Sequence, residues 1–371
     1  MFARPLFVTR KFHHSKGGME TLAAEVWRGL SEHEPDARLI ALGRSNGHLL
    51  WWLPLTVVRT AGVLLRRRAD IVISGDAVVF AALQPILALT RARRVVMVHG
   101  LDLTWDKPAY QWWVRRALRQ AHVVVAVSDP TADIARSLGV DDARIVVVRP
   151  GVSSPAVSRA DRDSARRALL HETGLDESNR LLLTLGRVVP RKGSSWFVES
   201  VLPYLPDDVV YLVAGEGPDT QNVREAAERA GVMNRVRMLG WVSDSEREQL
   251  LRGTDLFVQP NVRVQGDVEG FGIVVIEAAL RGTPVVGSRL EGITDAIVDG
   301  ESGLLCPPRD AAAWIATLNG CLSDLDALSD VGQRFREHAQ GIYGRDRMIR
   351  ELADLLELRD ARGTVTADAV R

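Results

Sequence analysis

Leu181-Leu-Leu-Thr-Leu-Gly186-Arg-Val-Val-Pro-Arg-Lys-Gly193 is an apolar run of strand length that breaks at a glycine, sets Arg187 and Lys192 on either side of a tight turn, and enters a helical stretch. A strand apolar on both faces and followed by a helix belongs in a parallel sheet covered on both sides. The same unit recurs in both directions. Downstream, strands are expected at 209–214, 236–239, 256–259 and 284–287, with helices at 194–202, 220–230, 244–251 and 272–280. Upstream, strands at 6–9, 38–42, 71–74, 95–98, 123–127 and 145–148 alternate with helices at 19–30, 53–67, 78–89, 110–119 and 131–138. The rhythm predicts an α/β protein with two doubly wound domains of Rossmann type. Residues 149–158, rich in Pro, Gly and Ser, read as the linker between them. Beyond Pro307-Pro308 the chain turns helical, at 311–322, 328–339 and 345–358, and ends in a polar tail. The expected organisation is a first domain over 1–152, a second over 153–343, and a last helical segment over 344–371.

With 371 residues, 46% of them hydrophobic, and 47 Lys+Arg against 47 Asp+Glu, the chain falls in the ordinary globular range, which excludes a disordered, collagen-like or disulfide-framework protein. Its length suits two domains, each with its own core. Cys306 and Cys321 are the only thiols and suggest neither a disulfide framework nor a zinc site, so a reducing cytoplasm fits best. No signal peptide is read in the first residues. The apolar stretch 49–65 is interrupted by Pro54, Arg59 and Gly62, which argues against a membrane span. The neutral total hides an asymmetry: residues 1–150 hold 21 Lys+Arg and 13 Asp+Glu, against 26 and 34 in the remainder, so the first half is basic. Only Lys11, Lys16, Lys107 and Lys192 are lysines, which makes a lysine inside a motif informative.

The densest segment is Gly266-Asp-Val-Glu-Gly-Phe-Gly-Ile-Val-Val-Ile-Glu277, where seven residues separate Glu269 from Glu277. A glycine-rich loop ends at Gly272 and an amphipathic helix is expected to begin there, so that its free N–H groups suit a phosphate. Glu277 then lies ~7.5 Å along the helix, about the distance from a diphosphate to a ribose. The plain alternative makes both glutamates solvated charges around a turn. In the opening segment, Arg187 and Lys192 are fixed cations able to offset the growing charge of a diphosphate leaving group without a metal. Ala214-Gly-Glu-Gly-Pro218 forms a backbone turn that suits the border of a nucleotide base. In the first half, Gly17-Gly18 open a helix after the first strand, which allows close backbone approach to a phosphate, and His99-Gly100-Leu-Asp102 end another strand. The glycines are not a G-x-G-x-x-G fingerprint, which argues against a dinucleotide oxidoreductase.

Taken together, Gly17-Gly18, His99-Gly100, Gly186-Arg187…Lys192-Gly193 and Glu269-Gly-Phe-Gly…Glu277 resemble the motifs of retaining glycosyltransferases of the GT-B fold, family GT4. The resemblance runs from about residue 6 to about residue 358 and implies a nucleotide-diphosphate sugar, GDP- or UDP-linked, held mainly by the second domain. The acceptor, a glycan or a lipid-linked hydroxyl, would be held mainly by the first, and the cleft between them would be the active site. By that analogy Glu277 takes the ribose, and Arg187 and Lys192 the diphosphate, with Gly17 and Gly18 reaching it from the other side. Glu269, Gly270, Phe271, Gly272 and Ile273 take the donor sugar; Gly215, Glu216 and Gly240 border the nucleotide; His99 contacts a sugar hydroxyl near the reacting carbon. The catalytic set is then His99, Glu269, Arg187 and Lys192, with Lys16 and Asp102 facing the acceptor. The last helix is expected to pack back on the first domain. No cofactor, metal or nucleic acid is expected.

The chain departs from the family at the linker, where Pro150-Gly-Val-Ser153 stands in place of Asn-Gly-Val-Asp. Asp324-Leu-Asp326 imitates a metal-binding D-x-D motif but reads as a solvated helix face. Trp51-Trp52 with Arg66-Arg-Arg68, and Trp112-Trp113 with Arg115-Arg116, suggest peripheral contact with the inner face of a cell membrane that presents a lipid-linked acceptor. The competing readings are a nucleotide-sugar epimerase, a phosphorylase of the same fold, and a catalytically silent sugar-binding module.

Overall fold

Among the residues described by the computed structural model, 4–12, 17–42, 46–153 and 157–357, the strands form two six-stranded sheets whose pairings are all parallel. The first is ordered β2-β1-β3-β4-β5-β6, from β1 (Pro5–Thr9), β2 (Arg38–Ala41), β3 (Ile71–Ser74), β4 (Arg93–Val98), β5 (Val123–Ala126) and β6 (Ile145–Val147). Its helices are α1 (Gly18–His33), α2 (Leu49–Leu65), α3 (Ala77–Leu87), the short α4 (Leu101–Thr104), α5 (Pro108–Leu118) and α6 (Asp129–Ser137). β1, β3 and β5 are buried at every position, which is why they read as unbroken apolar runs, whereas the edge strands β2 and β6 stay partly exposed.

The second sheet is ordered β12-β11-β10-β7-β8-β9, from β7 (Arg180–Leu185), β8 (Val209–Ala214), β9 (Val236–Gly240), β10 (Leu256–Gln259), β11 (Val285–Ser288) and β12 (Leu304–Cys306). Around it lie α7 (Arg159–Thr173), α8 (Ser194–Ser200), α9 (Thr220–Arg229), α10 (Asp244–Gly253), α11 (Ile273–Ala279), α12 (Ile293–Ala296), α13 (Ala311–Leu322) and α14 (Leu325–Tyr343). The chain divides into two compact units, residues 1–153 with 343–371, and residues 154–342. The final helix α15 (Arg345–Glu357) packs on α1, where Gly29 leaves room for Ile349: a Cβ there would lie 2.2 Å from the Ile349 side chain.

Besides the short α4, α12 and β12, which were not anticipated, three elements differ in character or extent from the expectation. α11 is not amphipathic: all seven of its residues are buried, because the helix is packed among α10, α12, β10 and β11. α7, within a stretch rich in Arg and Asp, buries only Leu169 and Leu170, so no apolar stripe announced it. α14 runs from 325 to 343 rather than 328 to 339.

At the linker, Ser153 donates its hydroxyl to the buried Glu25 carboxylate of α1 at 2.9 Å. An aspartate at that position would face another carboxylate, which gives the departure from Asn-Gly-Val-Asp a local reason. In the D-x-D segment, Asp324 accepts the Ala327 N–H at the start of α14 and Asp326 pairs with Arg159.

Candidate active site

In the second unit, the segments that leave the carboxyl ends of β7 to β11 are tied together. Gly186 N–H donates to the Ala214 carbonyl, Val188 N–H to Glu216, Gly215 N–H to Gly240, and Val262 N–H to Arg191. The crowding is tight enough that a Cβ on Gly215 would lie 1.9 Å from the Gly186 oxygen, and one on Gly193 1.9 Å from the Pro260 oxygen. Both glycines also have positive φ, so no other residue fits without displacing backbone.

Glu269 sits at the centre of this edge and is buried. Its Oε2 accepts from Lys192 Nζ at 2.6 Å, from Asn261 Nδ2 at 3.2 Å and from the Arg191 guanidinium, which also donates to Asp267 at 2.8 Å. Oε1 carries none of these bonds. Burial by itself raises the pKa of this carboxyl, but the charges of Lys192 and Arg191 and the hydrogen bonds outweigh it and hold the group at about 2. Burial pushes Lys192 down from its ordinary value despite the pairing. The Glu269 peptide is held as well: its N–H donates to Glu291 Oε2 at 2.6 Å, and its carbonyl accepts the Gly292 N–H at 3.0 Å.

Eight residues on, Glu277 is buried in α11 and its carboxylate pairs with Arg247 of α10. Burial lowers the Arg247 pKa, yet the Glu277 charge more than compensates and the guanidinium is raised overall. Arg281 ties the same helices, donating to the Glu277 carbonyl at 3.0 Å and to Glu248 at 2.7 Å. Gly270, Phe271, Gly272 and Ile273 lead from Glu269 into α11, with Gly272 left-handed at its start. Gly215, Glu216 and Gly240 lie at the ends of β8 and β9 in the interlocked edge. Arg187 is exposed, and no ion pair engages it among the described residues. The structure thus brings Lys192, Glu269 and the 270–273 segment together, and separates the roles of the two expected cations: Lys192 is locked to a carboxylate while Arg187 stands in solvent.

In the first unit, His99 follows directly on β4, with its Nε2 2.8 Å from the Gly75 carbonyl. A carbonyl only accepts, so Nε2 carries the proton and Nδ1 of a neutral ring is an acceptor. Asp102 is bound to backbone through both oxygens: its Oδ1 accepts the His99 N–H at 2.8 Å and its Oδ2 the Ala77 N–H at 3.0 Å. It fastens the His99 turn to the start of α3, so each of its oxygens already serves a backbone N–H. Burial raises its carboxyl pKa. Asp76 caps α3 through the Val78 and Val79 N–H groups and pairs with Arg10 at 2.9 Å. Gly17 and Gly18 are exposed at the start of α1, where Lys11 neutralises the buried Glu20 at 2.8 Å. Lys16, expected to face the acceptor, and His13 and His14 lie outside the described residues. Each tryptophan pair turns one member inward: Trp52 is buried in the core and Trp113 is partly buried against that core, while Trp51 and Trp112 are exposed.

Sequence reasoning missed Arg191, Asn261, Asp267, Glu291 and Arg247. Arg191 stands beside Lys192 in the same motif, yet arginine is so common in this chain that its identity carries no signal. Asn261 and Glu291 lie in loops whose proximity to Glu269 only the sheet order creates.

Residues 179–324 match the family described as glycosyl transferases group 1, and residues 16–154 the one described as glycosyltransferase family 4. The chain is 27% identical, over 97% of its length and 99% of the relative, to the GDP-mannose-dependent alpha-(1-6)-phosphatidylinositol monomannoside mannosyltransferase of Mycobacterium tuberculosis. It is 30% identical to the glycogen synthase of the same organism, over 75% of this chain and 68% of that protein. In fold it is similar to Anabaena HepE in complex with UDP and glucose (TM-score 0.76, 19% identity, 96% of this chain and 99% of that one). A second likeness is to the sucrose-phosphate synthase of Thermosynechococcus elongatus (TM-score 0.78, 17% identity, 96% and 99%). With both halves matched in order and the fold shared, the chain belongs to the family 4 (group 1) glycosyltransferases of the GT-B fold.

Proposed function

We propose that this enzyme is a retaining, metal-independent hexosyltransferase that moves a hexose from a nucleotide-diphosphate sugar, GDP-mannose or a UDP-hexose, to a hydroxyl of a glycan or lipid-linked acceptor. The observation that carries the reading is the state of Glu269. It is ionised, three donors fix one of its oxygens, and the other oxygen is left to accept from a hydroxyl of the donor sugar. Lys192 and Arg187 take the diphosphate, the first as a rigid charge and the second as a mobile one. Glu277 takes the ribose hydroxyls, which then share its carboxylate with Arg247. His99, its tautomer set by the Gly75 carbonyl, accepts from a sugar hydroxyl through Nδ1, and Asp102 keeps its turn in place.

In the reaction, the bond from the anomeric carbon to the diphosphate oxygen breaks and a bond to the acceptor oxygen forms on the same face of the sugar. The acceptor proton passes to the departing phosphate oxygen. The fixed cations offset the charge that gathers on the leaving group. GDP-mannose is favoured as the first donor to try because the mannosyltransferase relative, aligned over nearly its whole length, is named for it. A panel of GDP- and UDP-hexoses, assayed for nucleoside diphosphate release in chelator, tests the reading. Turnover of one donor is expected; no release from any donor, with or without added divalent metal, would sink it.

The lipid-linked acceptor rests on the first unit. No described helix is long and apolar enough to cross a membrane. The outer face of α2, however, exposes Leu50, Trp51, Val58 and Leu65 and runs into the exposed Arg66, Arg67 and Arg68. Exposed apolar and cationic side chains on one helix suit an anionic headgroup layer, where each basic residue near the surface contributes about 1 kcal/mol. Sedimentation with anionic vesicles at low salt should carry the wild type into the pellet, and Arg66, Arg67 and Arg68→Ser together with Trp51→Ser should release it. Arg115 is left out of the test because it caps α6 through the Ser137 and Leu138 carbonyls. A wild type that stays in the supernatant points to an acceptor that is not presented on a membrane.

A further inference from the structure

We infer that Glu291 is a positioning residue for Glu269: from a left-handed backbone conformation after β11, its carboxylate accepts the Glu269 peptide N–H and so aims the Glu269 side chain at the donor sugar. This rests on the proposed role of Glu269 and adds a residue that none of the four motifs contains. Glu291 has a φ of 51° and is one of three residues other than glycine with positive φ among the described residues. Such a position is ordinarily a place for glycine. What a glutamate supplies at this point is the 2.6 Å bond from the Glu269 N–H. The next residue closes the clamp, since Gly292 N–H donates to the Glu269 carbonyl at 3.0 Å. A Cβ on Gly292 would lie 2.2 Å from the Gly270 oxygen, so the two loops touch along their backbones. The Glu269 peptide is thereby gripped on both sides, while Lys192, Arg191 and Asn261 grip one carboxylate oxygen. Strain kept at a site of this kind is a recurrent sign of a built constellation.

The charged groups that act on the Glu291 carboxylate are Glu269 in the facing loop, Arg191 in the turn after β7, and Arg263 after β10. Burial raises the Glu291 pKa above its ordinary value, aided by the Glu269 charge and opposed by the peptide bond and the two arginines. As pH falls, Glu291 therefore loses its charge first, while Glu269, held at about 2, stays ionised.

Three variants of the full chain test the inference: Glu291→Ala, Glu291→Gln and Glu291→Gly. The alanine and glycine variants are expected to lose roughly tenfold in kcat/KM for the donor, the effect of one lost charge-assisted hydrogen bond. The glycine variant, freed of backbone strain, should melt no lower than wild type. The glutamine variant keeps an acceptor and should stay within about threefold of wild type, so that the conservative variant rescues what the alanine variant loses. Wild-type activity in both the alanine and glycine variants, or a glutamine variant as impaired as the alanine one, overturns the inference. Amide hydrogen exchange at Glu269 is read without any substrate: protection should fall in the alanine variant and persist in the glutamine variant. If no nucleotide sugar is turned over by wild type, that exchange difference still supports the clamp while the proposed function fails, and equal exchange in all variants overturns the clamp alone.

Discussion

Lys192→Ala should slow transfer by roughly 10²–10³ in kcat, the loss seen when one preorganised charge-stabilising group is taken from a site. Lys192 is buried, and its ammonium is fixed on Glu269 at 2.6 Å, so in the proposed role it would meet a developing diphosphate charge with no reorganisation of its own. Arg191 and Asn261 still hold Glu269 in the variant, so the loss is assigned to the missing cation rather than to a displaced carboxylate. Arg187→Ala should cost less, because an exposed side chain without an ion pair has to be ordered by the donor and is screened by solvent. The wild type should keep its turnover in chelator. Normal kcat in Lys192→Ala, or a wild type inactivated by chelator and restored only by metal, would contradict the assignment.

Glu269→Ala should abolish transfer and also weaken the second unit. Removing the carboxylate leaves Lys192 buried without its anion and Arg191 with Asp267 alone, and breaking a buried pair in this way typically costs about 3–5 kcal/mol. In thermal unfolding that corresponds to a fall of roughly 10 °C. The pH dependence gives a second readout. The carboxyl has an ordinary value of 4.5 and is held at about 2 in the folded protein, so its contribution to stability is present above 4.5 and is lost as pH falls toward 2. The size of that contribution is of order 3 kcal/mol. Burial of Lys192 opposes part of it, since the depressed lysine is a cost of folding. Stability of the alanine variant should therefore fall less steeply with acid between pH 5 and pH 2 than that of wild type. Parallel pH profiles for the two proteins would mean that Glu269 is not ion-paired with Lys192 and Arg191 in solution.

The double rhythm of strands and helices was legible because the sheets are parallel and covered. Strands such as β3, β5 and β8 are buried at every position and write themselves as runs of Val, Ile and Leu. α7 was missed for the opposite reason: it faces the protein with two leucines and presents charge elsewhere. β12 offers only Leu304, Leu305 and Cys306 between Gly303 and Pro307, whereas the equally short edge strand β6 lies in the longer apolar run 145–148. The motif residues Lys192 and Glu269 were recognisable from local spacing, but their mutual contact was not, since 77 positions separate them in the chain. What joins them is the adjacency of β7 and β10 in the sheet, and no local pattern encodes that order. Arg191, Asn261 and Glu291 arrive by the same route. Asp102 reads as an acceptor contact from its place beside a motif histidine; its further part in holding the turn, one backbone N–H on each oxygen, is a tertiary fact that no local pattern carries.

Retention of configuration is tested most directly by proton NMR of the first product formed from an α-linked donor, with the acceptor or water as nucleophile and enough enzyme to outrun mutarotation. If a nucleotide-diphosphate sugar sits against Glu269 and Lys192 and is attacked on the face its phosphate leaves, the α-anomer appears first. A β-anomer as the first product would contradict the same-face mechanism, and with it the roles of the leaving phosphate and its cations.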